Sequence, residues 1–179
     1  MTYALLTVQG PNRAGIVADI SLVLNVRRIN IADTSMSTLR SEFVMMLLLT
    51  LPQGFKVSDL QEAFGEFEAK GLRVHAQPVS DSEMALPDKP SQATHAISVM
   101  GPDQTGIVYQ VSTILAGHQV NILSLDSQLL DRSDKSLYAM ILEVDLTGHD
   151  VSAIKSALDA VAAQLNVDLN LHALDYAEI

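Results

Sequence analysis

Two rhythms of hydrophobic positions run through this chain, one of period two and one of period near 3.6. Tyr3 to Val8 is a short apolar run that Gly10-Pro11 ends. It predicts a strand, because proline has no N–H to continue a central ladder. Ile16, Ile20, Val23 and Leu24 recur at helical spacing and predict a helix from Ala14 to Arg27. Ile29 to Leu39 and Phe43 to Leu51 read as two more strands around an Arg40-Ser41-Glu42 turn. The near-continuous apolarity of the latter predicts burial on both faces or a central position. After Pro52-Gln53-Gly54, the positions Val57, Leu60, Phe64 and Phe67 predict a second helix ending near Lys70-Gly71. Ser58 and Gln61 stand at capping-box spacing within it. Leu72 to Val79 completes the order strand, helix, strand, strand, helix, strand. That is the split βαβ, ferredoxin-like unit: an α+β fold with a four-stranded antiparallel sheet and helices on one face.

The pattern then repeats. Shifted by 91 positions, the chain matches itself at Gly10, Pro11, Gly15, Ile16, Val17, Ser21, Leu24, Asn30 and Ile31. Their counterparts are Gly101, Pro102, Gly106, Ile107, Val108, Ser112, Leu115, Asn121 and Ile122. The third strands align Phe43 with Tyr138 and Met45 with Met140, which makes the second hairpin, around Asp131 to Lys135, four residues longer. The last strands align His75 with His172, and the helix before the second of them, from Val151 to Leu165, is capped near Asp150. Two units of one fold are expected, 1–79 and 94–179, joined by a linker over 80–93 that holds Pro87, Pro90 and three serines.

Both copies keep the strand-to-helix turn while much of the rest diverges. Asn12 and Asp103 stand where a helix N-cap is expected, with side-chain oxygens able to accept from free backbone N–H groups. Gly15 and Gly106 are placed in the first helical turn, where a bare Cα lets a backbone or a small ligand come close. The N–H groups of that turn and the helix dipole favour an anion such as a carboxylate.

The formal net charge of -10 argues against direct nucleic-acid binding, which needs clustered Lys and Arg. The chain has no cysteine, so disulfides, thiol catalysis and thiolate metal sites drop out. Met1 to Gln9 does not read as a signal peptide, and Phe43 to Leu51 is too short to span a bilayer. The expectation is a cytoplasmic protein without a membrane partner. No nucleophile elbow, phosphate loop or supported carboxylate pair is present, so neither an enzyme nor a cofactor is expected. His75, His95, His118, His149 and His172 show no metal-ligand spacing. Met45, Met46, Met100 and Met140 read as core filling.

GPxxxGIV, a helix and an Asn-Ile strand start within a βαββαβ unit together resemble the ACT domain, a regulatory module that binds amino acids. Two such units without a catalytic domain look like the glycine cleavage system transcriptional repressor family. The resemblance implies ligand binding at the first strand-to-helix turn, completed by the start of the second strand, at an interface between ACT units. Carried onto this chain it marks Asn12, Gly15 and Asn30 in the first unit and Asp103, Gly106 and Asn121 in the second. Asn12 stands where the family often has aspartate, so either the two units differ in affinity or only one of them binds.

In this reading the helix N–H groups hold a ligand carboxylate. Asn30 or Asn121 bridges its ammonium and carboxylate, and Asp103 pairs with the ammonium. Beside it stands a purely structural reading. Asn12 and Asp103 would then cap helices, Gly15 and Gly106 would permit tight helix–strand packing, and Asn30 and Asn121 would supply left-handed turn geometry. The function expected is an amino-acid sensor for glycine or serine. It would form a homodimer and act through a protein partner such as a transcription factor. The alternatives are a ligand-independent interaction module and an accessory subunit of an amino-acid enzyme.

Overall fold

The computed structural model describes residues 2–84, 92–132 and 135–175. The chain divides into two compact units, Met1–Pro87 and Asp88–Ile179. The first runs β1 (Thr2–Pro11), α1 (Ile16–Val26), β2 (Asn30–Leu39), β3 (Glu42–Leu51), α2 (Val57–Ala63), α3 (Gly65–Glu68) and β4 (Arg73–Val79). A helical turn, α4 (Asp81–Met84), follows it. The second runs β5 (His95–Pro102), α5 (Ile107–Gly117), β6 (Ile122–Arg132), β7 (Lys135–Val144), α6 (Val151–Leu165) and β8 (Asp168–Ala173). Each unit has one four-stranded sheet, ordered β2-β3-β1-β4 and β6-β7-β5-β8, with antiparallel pairing throughout. This is the α+β, ferredoxin-like arrangement that the order of elements predicts.

Alternation in β1 and β3 puts one sheet face into the core of the first unit. Ala4, Leu6 and Val8 of β1 and Phe43, Met45, Leu47, Leu49 and Leu51 of β3 are buried with Ile16, Ile20 and Leu24 of α1. Ile97, Val99, Met140, Leu142 and Val144 do the same in the second unit, under Val111 and Leu115 of α5 and Ile154 and Leu158 of α6. The apolar run of β3 reflects its central position. It is not buried on both faces, because Val44 and Met46 are 39% and 47% exposed on the side away from the helices. Of the four methionines expected to fill the cores, Met45 and Met140 do so; Met46 and Met100 point the other way and are exposed. Strand parity decides this, since neighbouring residues on a strand face opposite sides.

The second helix of the first unit is broken, with α2 and α3 separated at Phe64, whose φ of -101° and ψ of 6° lie outside helical values. The break turns Phe64 and Phe67 into the core with ring centroids 5.4 Å apart. Gln61 is no capping residue: its Nε2 donates to the Val74 carbonyl at 2.7 Å and its Oε1 accepts from Ala76 N–H at 3.2 Å, tying α2 to β4. The start of α2 is held by Asp59, which accepts from Lys56 N–H at 3.0 Å. In the second unit Asp150 caps α6 as expected, accepting from Ala153 N–H at 3.0 Å.

The segment expected as a linker opens with α4, where Ser80 donates from its N–H and hydroxyl to Glu83. Residues 85–91 of that segment lie outside the described residues. In the longer second hairpin the ladder is paired as far as Arg132 opposite Lys135, and Ser133 and Asp134 lie outside the described residues. Each unit carries a register shift at the same place, between Ile31 and Asp33 and between Ile122 and Ser124. The bulge immediately follows the Asn-Ile pair in both copies, so it belongs to the duplicated design.

Candidate functional site

The two turns are built alike, but not as N-caps formed by Asn12 and Asp103. The N-cap positions are Gly15, at φ 84°, and Gly106, at φ 97°, both left-handed and without a side-chain cap. Helices therefore start at Ile16 and Ile107, two residues later than the spacing of apolar positions alone suggests. The chain needs glycine there for its dihedral angle. Tight packing is not the reason: a Cβ on Gly15 would come no nearer than 3.9 Å to Arg13 Nη1, and one on Gly106 no nearer than 3.7 Å to Gln110 Nε2. Close approach falls instead on the first glycine of the motif. A Cβ on Gly10 would stand 2.7 Å from Leu72, and one on Gly101 2.7 Å from Val167.

Asn12 and Asp103 are held by their backbones. Asn12 N–H donates to the Ser41 carbonyl at 2.7 Å, and Asp103 N–H reaches the Ser136 carbonyl at 3.5 Å. Their side chains are exposed and make no hydrogen bond among the described residues. Within α1 the first intrahelical bond is Asp19 N–H to the Gly15 carbonyl at 2.9 Å, and in α5 it is Gln110 N–H to Gly106 at 2.9 Å. The N–H groups of Val17, Ala18, Val108 and Tyr109 consequently have no acceptor among the described residues. Such orphan donors, at the positive end of a helix, suit a carboxylate.

The side chains around the turns differ between the units. Arg13 pairs with Asp19 at 2.5 Å across the mouth of the first turn. The registered positions in the second unit hold Gln104 and Gln110, and Gln104 Nε2 donates to the Leu165 carbonyl at the end of α6. Sequence reading passed over these four residues. Their signal is positional: both pairs sit within four residues of the helix-starting glycine.

Asn30 and Asn121 do not supply left-handed geometry. The positive-φ residues before the second strands are Arg28 (55°) and Gln119 (58°). The Asn30 backbone enters the ladder opposite Thr50, and Asn121 directly precedes β6. Both side chains are exposed and unbonded among the described residues. No turning role accounts for either asparagine.

The residues of the expected set are not brought together within one unit. Thr50 pairs with both Asn30 and Tyr3, so Asn30 stands level with the start of β1. Pro11 and the turn after it lie at the other end of that strand, about 27 Å away at 3.4 Å per residue. The second unit repeats this, since Ile122 and His95 share the partner Val144 while Pro102 ends β5. One unit thus offers the turn at one end of its sheet and the asparagine at the opposite end.

Comparison with known proteins agrees with this architecture. The ACT domain family matches residues 2–77 and again 94–172. The chain is 24% identical over 181 residues to the glycine cleavage system transcriptional repressor of Escherichia coli, covering 98% of this chain and 92% of that protein. A UPF0237 protein of Methanocaldococcus jannaschii is 35% identical over 75 residues, 41% of this chain and 79% of its own length. The crystal structure of an unknown protein from Galdieria sulphuraria superposes with a TM-score of 0.75 at 26% identity, covering 97% of this chain and 99% of the other. Among the described residues no helix is long and apolar enough to cross a membrane. With both copies of the fold matched and the repeated turns in place, the chain belongs to the ACT domain family.

Proposed function

We propose that this chain is a non-catalytic amino-acid sensor that binds a small amino acid, glycine or serine first, between ACT units and signals to a protein partner. The observation that carries the reading is the split of the candidate residues to opposite ends of each unit. In this reading a turn with orphan N–H donors and an unbonded asparagine would be contributed to one site by two different units. Within one chain or in a homodimer, ligand would then favour one packing of units over another and shift its population. Asp103 gives the second turn a charged partner for an ammonium, whereas Asn12 gives the first a neutral one. The E. coli relative is named as a transcriptional repressor of the glycine cleavage system, which fits a partner that regulates transcription. The net charge of -10 favours action on a protein rather than on DNA.

Thermal shift against the twenty amino acids tests this. A rise with glycine, serine or another single amino acid, reduced in Asn30→Ala or Asn121→Ala, supports sensing. A second reading, a ligand-independent interaction module, draws on the exposed apolar sheet residues Val44, Met46, Met100 and Ile141. It is the one left standing when no amino acid moves the melting point.

A further inference from the structure

On the sheet face away from the helices, the first unit has a concavity of about 280 Å³ that includes Gln9, Leu39, Glu42, Val44 and Arg73 in its lining. Registry fixes how they sit. Val44, Gln9 and Arg73 lie side by side on β3, β1 and β4, and Leu39 and Glu42 face each other at the adjacent end of β2 and β3. The concavity therefore has a guanidinium on one side, a carboxylate on the other, an amide between them and an apolar wall of Leu39 and Val44. Neither charge is spent. The ion pairs among the described residues are Arg13 with Asp19 and Lys155 with Asp159. The side chains of Arg73 and Glu42 make no hydrogen bond there either.

The duplication supplies an internal comparison. At the registered positions of the second unit Met100 replaces Gln9, Leu137 replaces Glu42, and Asp168 lies opposite Met100 where Arg73 lies opposite Gln9. At these positions the second unit has neither cation nor amide, and its one carboxylate, Asp168, stands where the first unit has the guanidinium. We infer that the first unit alone holds a second ligand site, separate from the helix-starting turns, for an α-amino acid with an apolar side chain. Arg73 and Gln9 take its carboxylate, Glu42 takes its ammonium, and Leu39 and Val44 cover its side chain. Two opposite charges held apart over an apolar floor match a zwitterion, whereas a simple anion or cation satisfies one side and leaves the other facing like charge.

The test is a titration of the whole ¹⁵N-labelled chain with L-leucine, followed by amide shifts. Shifts at Gln9, Val44 and Arg73 are expected, with about tenfold or weaker binding for 4-methylpentanoate and 3-methylbutylamine, each of which lacks one charge. Arg73→Gln, an exposed change, is expected to weaken leucine binding tenfold or more; Glu42→Gln should act in the same direction. The inference is overturned if Gln9 and Val44 do not move by about 10 mM leucine, a very weak affinity. It is overturned equally if Arg73→Gln binds like the parent. Shifts confined to the amides around Gly15 and Gly106 would also overturn it while leaving the sensor reading intact. Shifts at Gln9 and Val44 without any at the turns would support it, and the sensor reading, which names glycine and serine first, would stand or fall on its own thermal-shift test.

Discussion

Gly101 lies against Val167 so closely that no side chain fits between them: an added Cβ would stand 2.7 Å from Val167 Cγ1, 3.0 Å from its Cβ and 3.1 Å from its Cα. The last two are the stem of the neighbouring chain and cannot rotate away. Gly101→Ala is expected to destabilise the second unit by about 1–3 kcal/mol, the usual cost of overpacking. Of these three atoms Val167→Ala removes the nearest and leaves the other two, so it should recover part of that loss in a double-mutant cycle. Urea unfolding of the full chain measures both. A Gly101→Ala chain as stable as its parent would show that the strand moves aside freely.

At Gly15 and Gly106 the constraint is one of angle. Nothing crowds either Cα, yet their φ values of 84° and 97° are disfavoured for residues with a Cβ. Gly→Ala at either position should cost about 1–2 kcal/mol. Gly→Asn should cost less, because asparagine adopts left-handed geometry more readily. Equal losses for alanine and asparagine, read from the same unfolding curves, would mean that volume and not dihedral angle decides.

These two glycine pairs show what could be read from the chain and what could not. Period and repetition were enough for the strand order, because Gly10-Pro11 and Gly101-Pro102 stop strands by removing a donor, a local effect. The role of each glycine was not legible, because crowding at Gly101 depends on Val167, a contact made by folding. Asn12 and Asp103 have the composition of caps, but the left-handed glycines place the helix starts beyond their reach. Met45 and Met46 are alike by composition, and only the pairing of β3 decides which of them is buried. For the candidate site, types and spacing marked Asn30 and Asn121. Their distance from the turns followed only once Thr50 was seen to pair with both Asn30 and Tyr3.

Gln61 carries a prediction that composition would have hidden. Its amide serves the Val74 carbonyl and the Ala76 N–H at once, the side-chain substitute for a strand beyond the edge of β4. Gln61→Leu keeps most of the volume and leaves both backbone groups without that partner. A loss of about 1–2 kcal/mol is expected, since the groups are only half-buried and water recovers some of the cost. Hydrogen exchange gives the sharper reading. The Ala76 amide should exchange faster in the variant, with the buried amides of β1 changing only as far as global stability falls. An unchanged Ala76 rate would mean that the bond contributes nothing to holding β4.

Asp145 makes the pH dependence of the β7–α6 connection testable. Its Oδ1 accepts from Thr147 N–H at 2.9 Å. The Thr147 side chain and then its backbone hold the carboxyl below the usual aspartate value, with a small further contribution from His149. A carboxylate whose folded pKa is depressed adds stability above its unfolded value and loses it as pH falls through the folded one. The loop should thus be fully held near neutrality and loosen only in acid, below the ordinary aspartate range near 3.9. Thr147→Val removes the hydroxyl donor and keeps the N–H, so the Asp145 carboxyl carbon should titrate at higher pH than in the parent and lower than in an unfolded peptide. Asp145→Asn should remove this part of the acid sensitivity. If the carboxyl carbon titrates at the same pH in the parent and in Thr147→Val, the hydroxyl does not stabilise the charged form, and the backbone N–H alone sets the shift.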